Sequence, residues 1–243
     1  MPIPNRKIAV VMTNHAGYPD SGGETGLWLS ELVHFFDLFH ARGYSLDFVS
    51  PKGGRVPVDP RSVSRFMLDK VTKGYINDTA FMDRLKKTLP PDEVHAAEYD
   101  AIYFTGGHGV MWDFPESTGL QDLSRKIYES GGAVSAVCHG SCALLNVKHS
   151  DGKSLIHDKR VTGFSNLEEK LVRKEKVIPF SLEDELKARG TRYRKAKVPF
   201  FPCVVADGRL VTGQNPQSTR RVAENLYEVL KPERQRPDQR GNR

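Results

Sequence analysis

The chain has 243 residues, 38% of them hydrophobic, with three cysteines and a formal charge of +6. That length suits one large α/β domain, or one core with a small insertion, and buries a substantial core without covalent staples. Three cysteines are too few for a disulfide framework, no apolar run is long enough to span a membrane, and residues 1–7 run directly into a strand with no signal-peptide pattern, which together point to a reducing, cytoplasmic location.

The first strand is predicted over residues 8–12, a continuous apolar run of the kind buried in parallel sheets. After a loop with Gly17, Pro19, Gly22 and Gly23, a helix is predicted over 25–42, with Gly43 as its terminating glycine. Its apolar stripe is Trp28, Leu32, Phe35 and Phe39. A second strand, 45–49, closes at Pro51. Residues 57–98 are polar and helix-forming, broken by Pro60 and Pro90-Pro91, and read as an inserted helical cap within a single domain over 1–230. Alternation resumes with a strand at 101–104, the glycine-rich run 105–109, a helix at 120–130 and a strand at 133–137 that leads into Cys138, His139 and Gly140. A short helix at 141–145, a strand at 160–164 and charged helices at 167–174 and 182–189 follow. A hairpin over 203–212 turns at Asp207-Gly208, and a helix at 221–230 closes the domain. Residues 231–243 carry five basic and two acidic residues without apolar periodicity and read as a disordered basic tail. Basic and aromatic residues are not interleaved elsewhere and no nucleic-acid motif is present, so neither nucleic acid nor membrane is an expected partner.

Strands alternating with helices imply an α/β fold, doubly wound, with a mostly parallel sheet covered by helices on both faces. Ligands of such sheets bind at the carboxyl ends of the strands. Cys138 stands at such an end, at a strand-to-helix turn of the nucleophile-elbow kind, where a helix N-terminus would favour a thiolate and a lowered pKa. A packed core cysteine is the alternative. The loop around Gly107 and His108 leaves a neighbouring strand end, and its N–H groups are candidates for an oxyanion site. Glu31 lies at the edge of the apolar stripe, so its pKa is expected to rise, and a neutral carboxyl there can donate to the sulfur; a helix-boundary glutamate reaching for solvent is the alternative. His139 needs an orienting acid, and Glu168-Glu169 offers one, although acidic pairs in a helix's first turn also serve the helix dipole alone. Cys142, one helical turn beyond Cys138, is either a resolving thiol or small core filler. No metal site is expected, since no fourth ligand appears at ligand spacing.

The strings AVCHG (136–140), TGGHG (105–109), VTGFSNLEE (161–169), PFSLEDELKARG (179–190) and DGRLVTGQNPQS (207–218) together resemble the ThiJ/PfpI superfamily, also called type 1 glutamine-amidotransferase-like. The cap and GLWLSE (26–31) resemble the branch of glutathione-independent glyoxalases and stress chaperones. The resemblance implies a flavodoxin-like fold with catalytic Cys138, His139 and Glu169, with Glu31 contacting the thiol and the backbone at Gly107 and His108 as oxyanion site. It also implies no cofactor and a small-molecule aldehyde as partner, with a homodimer as a compatible assembly. The implied activity is conversion of methylglyoxal or a related 2-oxoaldehyde to a 2-hydroxy acid; a holding chaperone, a redox sensor, a peptidase or amidase and a deglycase are the alternatives within the superfamily. The chain departs from the pattern at Ser141, where proline is frequent, and at 197–201, which lacks a frequent tryptophan. The basic residues Lys170, Arg173, Lys174 and Lys176 stand in a segment that neighbours the mouth of the site in the family; a solvated helix face is the alternative reading.

Overall fold

The apolar runs become β1 (Lys7–Val11), β3 (Ala101–Phe104) and β4 (Ala133–Val137), the last two buried at every position. In the computed structural model, which describes residues 6–19 and 22–231, these strands lie in a six-stranded sheet with β2 (Ser45–Val49) at one edge. The hairpin of β7 (Val204–Asp207) and β8 (Leu210–Gly213) forms the other side, giving the order β2-β1-β3-β4-β8-β7. All pairings are parallel except β7 with β8. The expected tail at 231–243 lies, apart from Lys231, outside the described residues.

Helices α1 (Leu29–His40) and α8 (Thr219–Leu230) share one face of the sheet. Phe35 of α1 stacks on Tyr103 of β3 at 3.6 Å between ring centroids, and Phe39 meets Tyr227 of α8. Neighbouring residues on a strand point to opposite faces, so Phe104 faces away and packs on Phe114, between α4 (Val110–Asp113) and α5 (Thr118–Glu129). Gly43, with φ +76, closes the turn after α1 as expected.

Helix α1 starts four residues later than its pattern suggests. Residues 25–28 are held extended because Leu27 donates to Pro57 O and accepts from Asp59 N–H, while Trp28 N–H donates to Gly106 O. These bonds knit the inserted segment to the glycine-rich loop. The insertion carries a 3₁₀ turn (Pro60–Val63), α2 (Lys70–Ile76) and α3 (Thr79–Arg84), whose N-termini are capped by Asp59, Asp69 and Asp78. Phe81 and Tyr75 pack edge-on against Phe36 of α1. The strand expected at 160–164 is only β5 (Arg160–Val161), outside the main sheet and paired with β6 (Arg192–Tyr193). Two-residue strands carry no periodicity, so β6 left no mark in the sequence. Between these two strands lie α6 (Asn166–Leu171) and α7 (Leu182–Ala188).

Truncation of Phe35 to alanine removes a fully buried ring from the stack on Tyr103 and is expected to cost about 3–5 kcal/mol. Urea unfolding should show this as a lower midpoint at unchanged slope; a loss below about 1 kcal/mol would mean that α1 is anchored elsewhere.

Candidate active site

At the end of β4 the chain turns so sharply that Cys138 takes φ +57, a conformation L-residues rarely hold. Two residues on, the turn has room only for glycine: a Cβ on Gly140 would strike the carbonyl oxygen of Thr105. From the β3 side, a Cβ on Gly106 would come within 3.0 Å of Cys138 Cβ and 2.7 Å of Glu31 Oε2. The loops after β3 and β4 therefore touch, and Cys138 sits between them, 3% exposed.

Glu31 projects from α1 into the same space and is fully buried. Its Oε2 accepts the N–H of Gly106 at 2.6 Å. The carboxyl also interacts with the Cys138 thiol, but Oε1 makes no bond of full hydrogen-bond geometry, so the contact with sulfur is looser than the one with Gly106. Burial pushes the Glu31 carboxyl up to about 8, against those two partners. The expected rise at Glu31 is present; the expected fall at Cys138 is not. Burial, followed by the neighbouring Glu31, pushes the Cys138 thiol well above its usual range, and the N–H of His139 only partly opposes this. The helix invoked for that fall is a seven-residue 3₁₀ segment, Cys138–Leu144, and its dipole does not offset the lost hydration of the sulfur.

A resting thiol needs a base. His139 Nδ1 is 3.3 Å from Cys138 Sγ, and His139 Nε2 is 2.8 Å from Glu169 Oε2. Burial alone would raise Glu169, but the charge of His139 and the hydrogen bonds of His108 and His139 outweigh it and hold the carboxyl far below the usual carboxylate range. An ionised carboxylate only accepts, so His139 Nε2 carries a proton, and whenever the ring holds only that one Nδ1 faces the sulfur as acceptor. The structure thus joins Cys138, His139, Glu169 and Glu31 in one cluster. Glu168 is separate: its carboxylate accepts five hydrogen bonds, from Ser165 N and Oγ, Phe200 N, Gln214 Nε2 and Asn215 Nδ2.

In the loop after β3, Gly106 spends its N–H on Glu31, which leaves those of Gly107 and His108 without an acceptor among the described residues. The side chain of His108 has a place that sequence reasoning missed: Nε2 lies 2.8 Å from Glu169 Oε1, so Glu169 bridges two imidazoles. Also missed were Asp59, Arg61 and Tyr18. Arg61 reaches His108 Nδ1 at 3.1 Å and Tyr18 Oη at 2.7 Å. A lone Asp-Pro-Arg in a polar insertion offers no periodic or motif signal. Of the basic run, Lys174 places its ammonium 4.3 Å from the centre of the Tyr18 ring, which itself packs beside His108. Cys142 is buried and donates to Val110 O, a packing position. Among the described residues the one grouping of metal-capable side chains is His108, His139 and Glu169, whose facing atoms are already joined by hydrogen bonds. No described helix is long and apolar enough to cross a membrane.

The sequence profile of the DJ-1/PfpI family matches residues 25–229. A glutathione-independent glyoxalase of Saccharomyces cerevisiae is 32% identical over 93% of this chain and 98% of its own length. A probable glutathione-independent glyoxalase of Schizosaccharomyces pombe is 34% identical over 95% of this chain and 100% of its own. Among solved structures, glyoxalase III of Candida albicans superposes with a TM-score of 0.84 at 28% identity, covering 93% of this chain and 97% of that one. The Rapid Encystment Protein 24 kDa of Francisella tularensis superposes with a TM-score of 0.88 at 39% identity, over 93% and 99% of the two chains.

The folded protein keeps the Glu31 proton to about pH 8, whereas an ordinary glutamate releases it near 4.5. The stabilisation is therefore full below 4.5 and is lost as the pH rises through about 8. Glu31→Gln removes that titration, so the difference in unfolding free energy between variant and wild type should move in the variant's favour across this range. Parallel curves in urea titrations would show that Glu31 ionises as freely in the folded state as in the unfolded one.

Proposed function

Since the chain belongs to the DJ-1/PfpI family, we propose that it is an enzyme of the glyoxalase III type, which converts methylglyoxal or a related 2-oxoaldehyde and water to a 2-hydroxy acid without glutathione. The observation that carries this reading is the row from Cys138 Sγ through His139 to Glu169, with the Glu31 carboxyl against the same sulfur. A nucleophile, a base and a second proton-holding group stand around one point, which is what an internal transfer between adjacent carbons requires.

Each atom has an assignment. Cys138 Sγ bonds to the aldehyde carbon as its proton passes to His139 Nδ1, and Glu169 balances the imidazolium. The aldehyde oxygen becomes a hemithioacetal oxygen beside the N–H groups of Gly107 and His108. His139 hands its proton on to the hemithioacetal oxygen and, neutral again, takes the hydrogen of that carbon. The electron pair forms an enediol as the protonated Glu31 gives its proton to the neighbouring carbonyl oxygen, and Glu31 recovers a proton from the first carbon's hydroxyl as the thioester forms. Return of a proton to that second carbon leaves an alcohol there and a thioester at the first. Water cleaves the thioester to the carboxylate, and sulfur recovers its proton. The oxidation of one carbon equals the reduction of the other, so no external electron acceptor enters.

With the Glu31 proton held to about pH 8, the carboxyl is a donor through the physiological range and changes role above it. Three free cysteines accord with a reducing, cytoplasmic setting.

Lactate formation from methylglyoxal in thiol-free buffer tests the reading. Cys138→Ala should abolish it, and Glu31→Gln should lower kcat by roughly 10²-fold or more, the scale of a lost general acid–base group. Turnover that survives Cys138→Ala would refute covalent catalysis through this sulfur, and a wild-type protein that forms no lactate would favour a binding or chaperone role.

A further inference from the structure

Arg61 belongs to the inserted segment, yet its guanidinium ends inside the hydrogen-bonded row. Its Nε donates to Asp59 Oδ1 at 3.0 Å, and one terminal nitrogen donates to Asp59 Oδ2 at 2.6 Å. The same nitrogen meets Tyr18 Oη at 2.7 Å and His108 Nδ1 at 3.1 Å. Asp59 is fully buried and accepts in addition from Arg61 N–H and Thr25 Oγ1, so the fork is held from behind. A guanidinium only donates and a carboxylate only accepts. His108, placed between Arg61 and Glu169, is thereby restricted to one tautomer: lone pair on Nδ1, proton on Nε2.

We propose that Arg61 is a positioning residue which acts through His108 to orient Glu169, and through Glu169 the base His139. With the His108 proton on Nε2, both oxygens of Glu169 accept, Oε1 from His108 and Oε2 from His139, and the carboxylate is fixed between the two rings. Moving that proton to Nδ1 would set the Nε2 lone pair against Oε1 at 2.8 Å. The carboxylate would have to turn away, and His139 would lose the partner that keeps its Nδ1 toward the sulfur. Charge acts in the same direction. His108 is faced by Arg61 from the insertion, Glu169 from α6, His139 from the turn after β4 and Tyr18 from the loop after β1; Asp59 stands behind Arg61, and Lys174 lies against Tyr18. Burial, then the charges of His139 and Arg61, push His108 down to about 4 against the pull of Glu169. Removing Arg61 raises His108, and a second imidazolium on Glu169 would compete with the one catalysis forms on His139. The role deepens the proposed glyoxalase chemistry but rests only on the geometry of the row.

A double-mutant cycle separates this role from a structural one. His108→Gln keeps an N–H near Glu169 and has no tautomer to fix. Arg61→Ala should lower kcat on the order of tenfold with little change in KM, the coupling usual within one hydrogen-bond network. In the His108→Gln background the same substitution should change kcat less than about twofold. The acid limb of the Arg61→Ala profile should move to higher pH, and imidazole ¹⁵N shifts should report that His108 Nδ1, which faces Arg61 in the wild type, gains a proton at higher pH than before. Equal losses in both backgrounds, or unchanged ¹⁵N shifts, overturn the proposal. The pH-dependent rate of Cys138 alkylation by iodoacetamide, measured on the same four proteins, follows proton acceptance by His139 without a substrate. Should methylglyoxal fail as substrate while alkylation still shows the coupling, the glyoxalase reading falls and the role of Arg61 stands; alkylation without coupling removes that role whatever the substrate.

Discussion

β3 and β4 are adjacent parallel strands in register from Ala101 with Ala133 to Phe104 with Ala136, so the loops leaving their carboxyl ends must pass in contact. Everything in the site depends on that contact. Gly106 and Gly140 are the residues at which a side chain would meet the opposite loop, in one case the Cys138 side chain and in the other the Thr105 carbonyl. The approach fixes Cys138 in a positive-φ conformation that costs of the order of 1–3 kcal/mol and persists only where the surroundings over-determine it. Here the apolar β4 strand, the 3₁₀ segment and the glycine-rich loop do so together.

Three buried glutamates surround this contact, and their partners decide what each does. Glu31 has one backbone N–H and a thiol, too little to replace its hydration, so it retains a proton. Glu169 has two imidazoles and stays ionised. Glu168, next to it in sequence, turns to the far side of α6 and binds Ser165, the 200 loop and the Gln214-Asn215 end of β8. It holds together the segments that present its neighbour. A protonated carboxyl, an ionised one and a structural tie thus arise from one residue type, and between Glu31 and Glu169 the difference lies in the kind of partner, a thiol and one N–H against two basic imidazoles.

The strands and the elbow were legible because they follow from local rules. Continuous apolar runs mark buried parallel strands, and a small-residue turn after such a run marks an elbow. Glu31 was legible as a carboxylate on an apolar stripe. What escaped has a physical reason in each case. The late start of α1 follows from bonds to Pro57 and Asp59, 30 residues and more along the chain, which no local propensity records. The thiol of Cys138 was misjudged because a helix N-terminus is visible in sequence and the depth of burial is not. His108 was read for its backbone, since the glycines around it draw attention to the main chain, while the contact of its side chain with Glu169 spans 61 positions.

The remaining question is how a polar insertion places one side chain accurately in a buried site. Three stretches of backbone lie in close contact there: a Cβ on Gly107 would strike Gly26 O, and one on Gly26 would strike Pro57 O. Leu27 exchanges hydrogen bonds with the Pro57–Asp59 stretch, so the insertion joins the site loop as a short strand pairing before it departs into its helices. Its register is therefore set by backbone contacts, which are far stiffer than packing between helix surfaces. Asp59, the last residue of that pairing, caps the 3₁₀ turn and grips Arg61 two positions on. An ion pair with its carboxylate buried and its guanidinium half-buried adds little net stability once desolvation is counted, and its value lies in direction. With Asp59 holding Nε and one terminal nitrogen, that nitrogen shares its two hydrogens among Asp59, Tyr18 and His108, and this placement keeps the lone pair of His108 Nδ1 toward Arg61 and its proton toward Glu169.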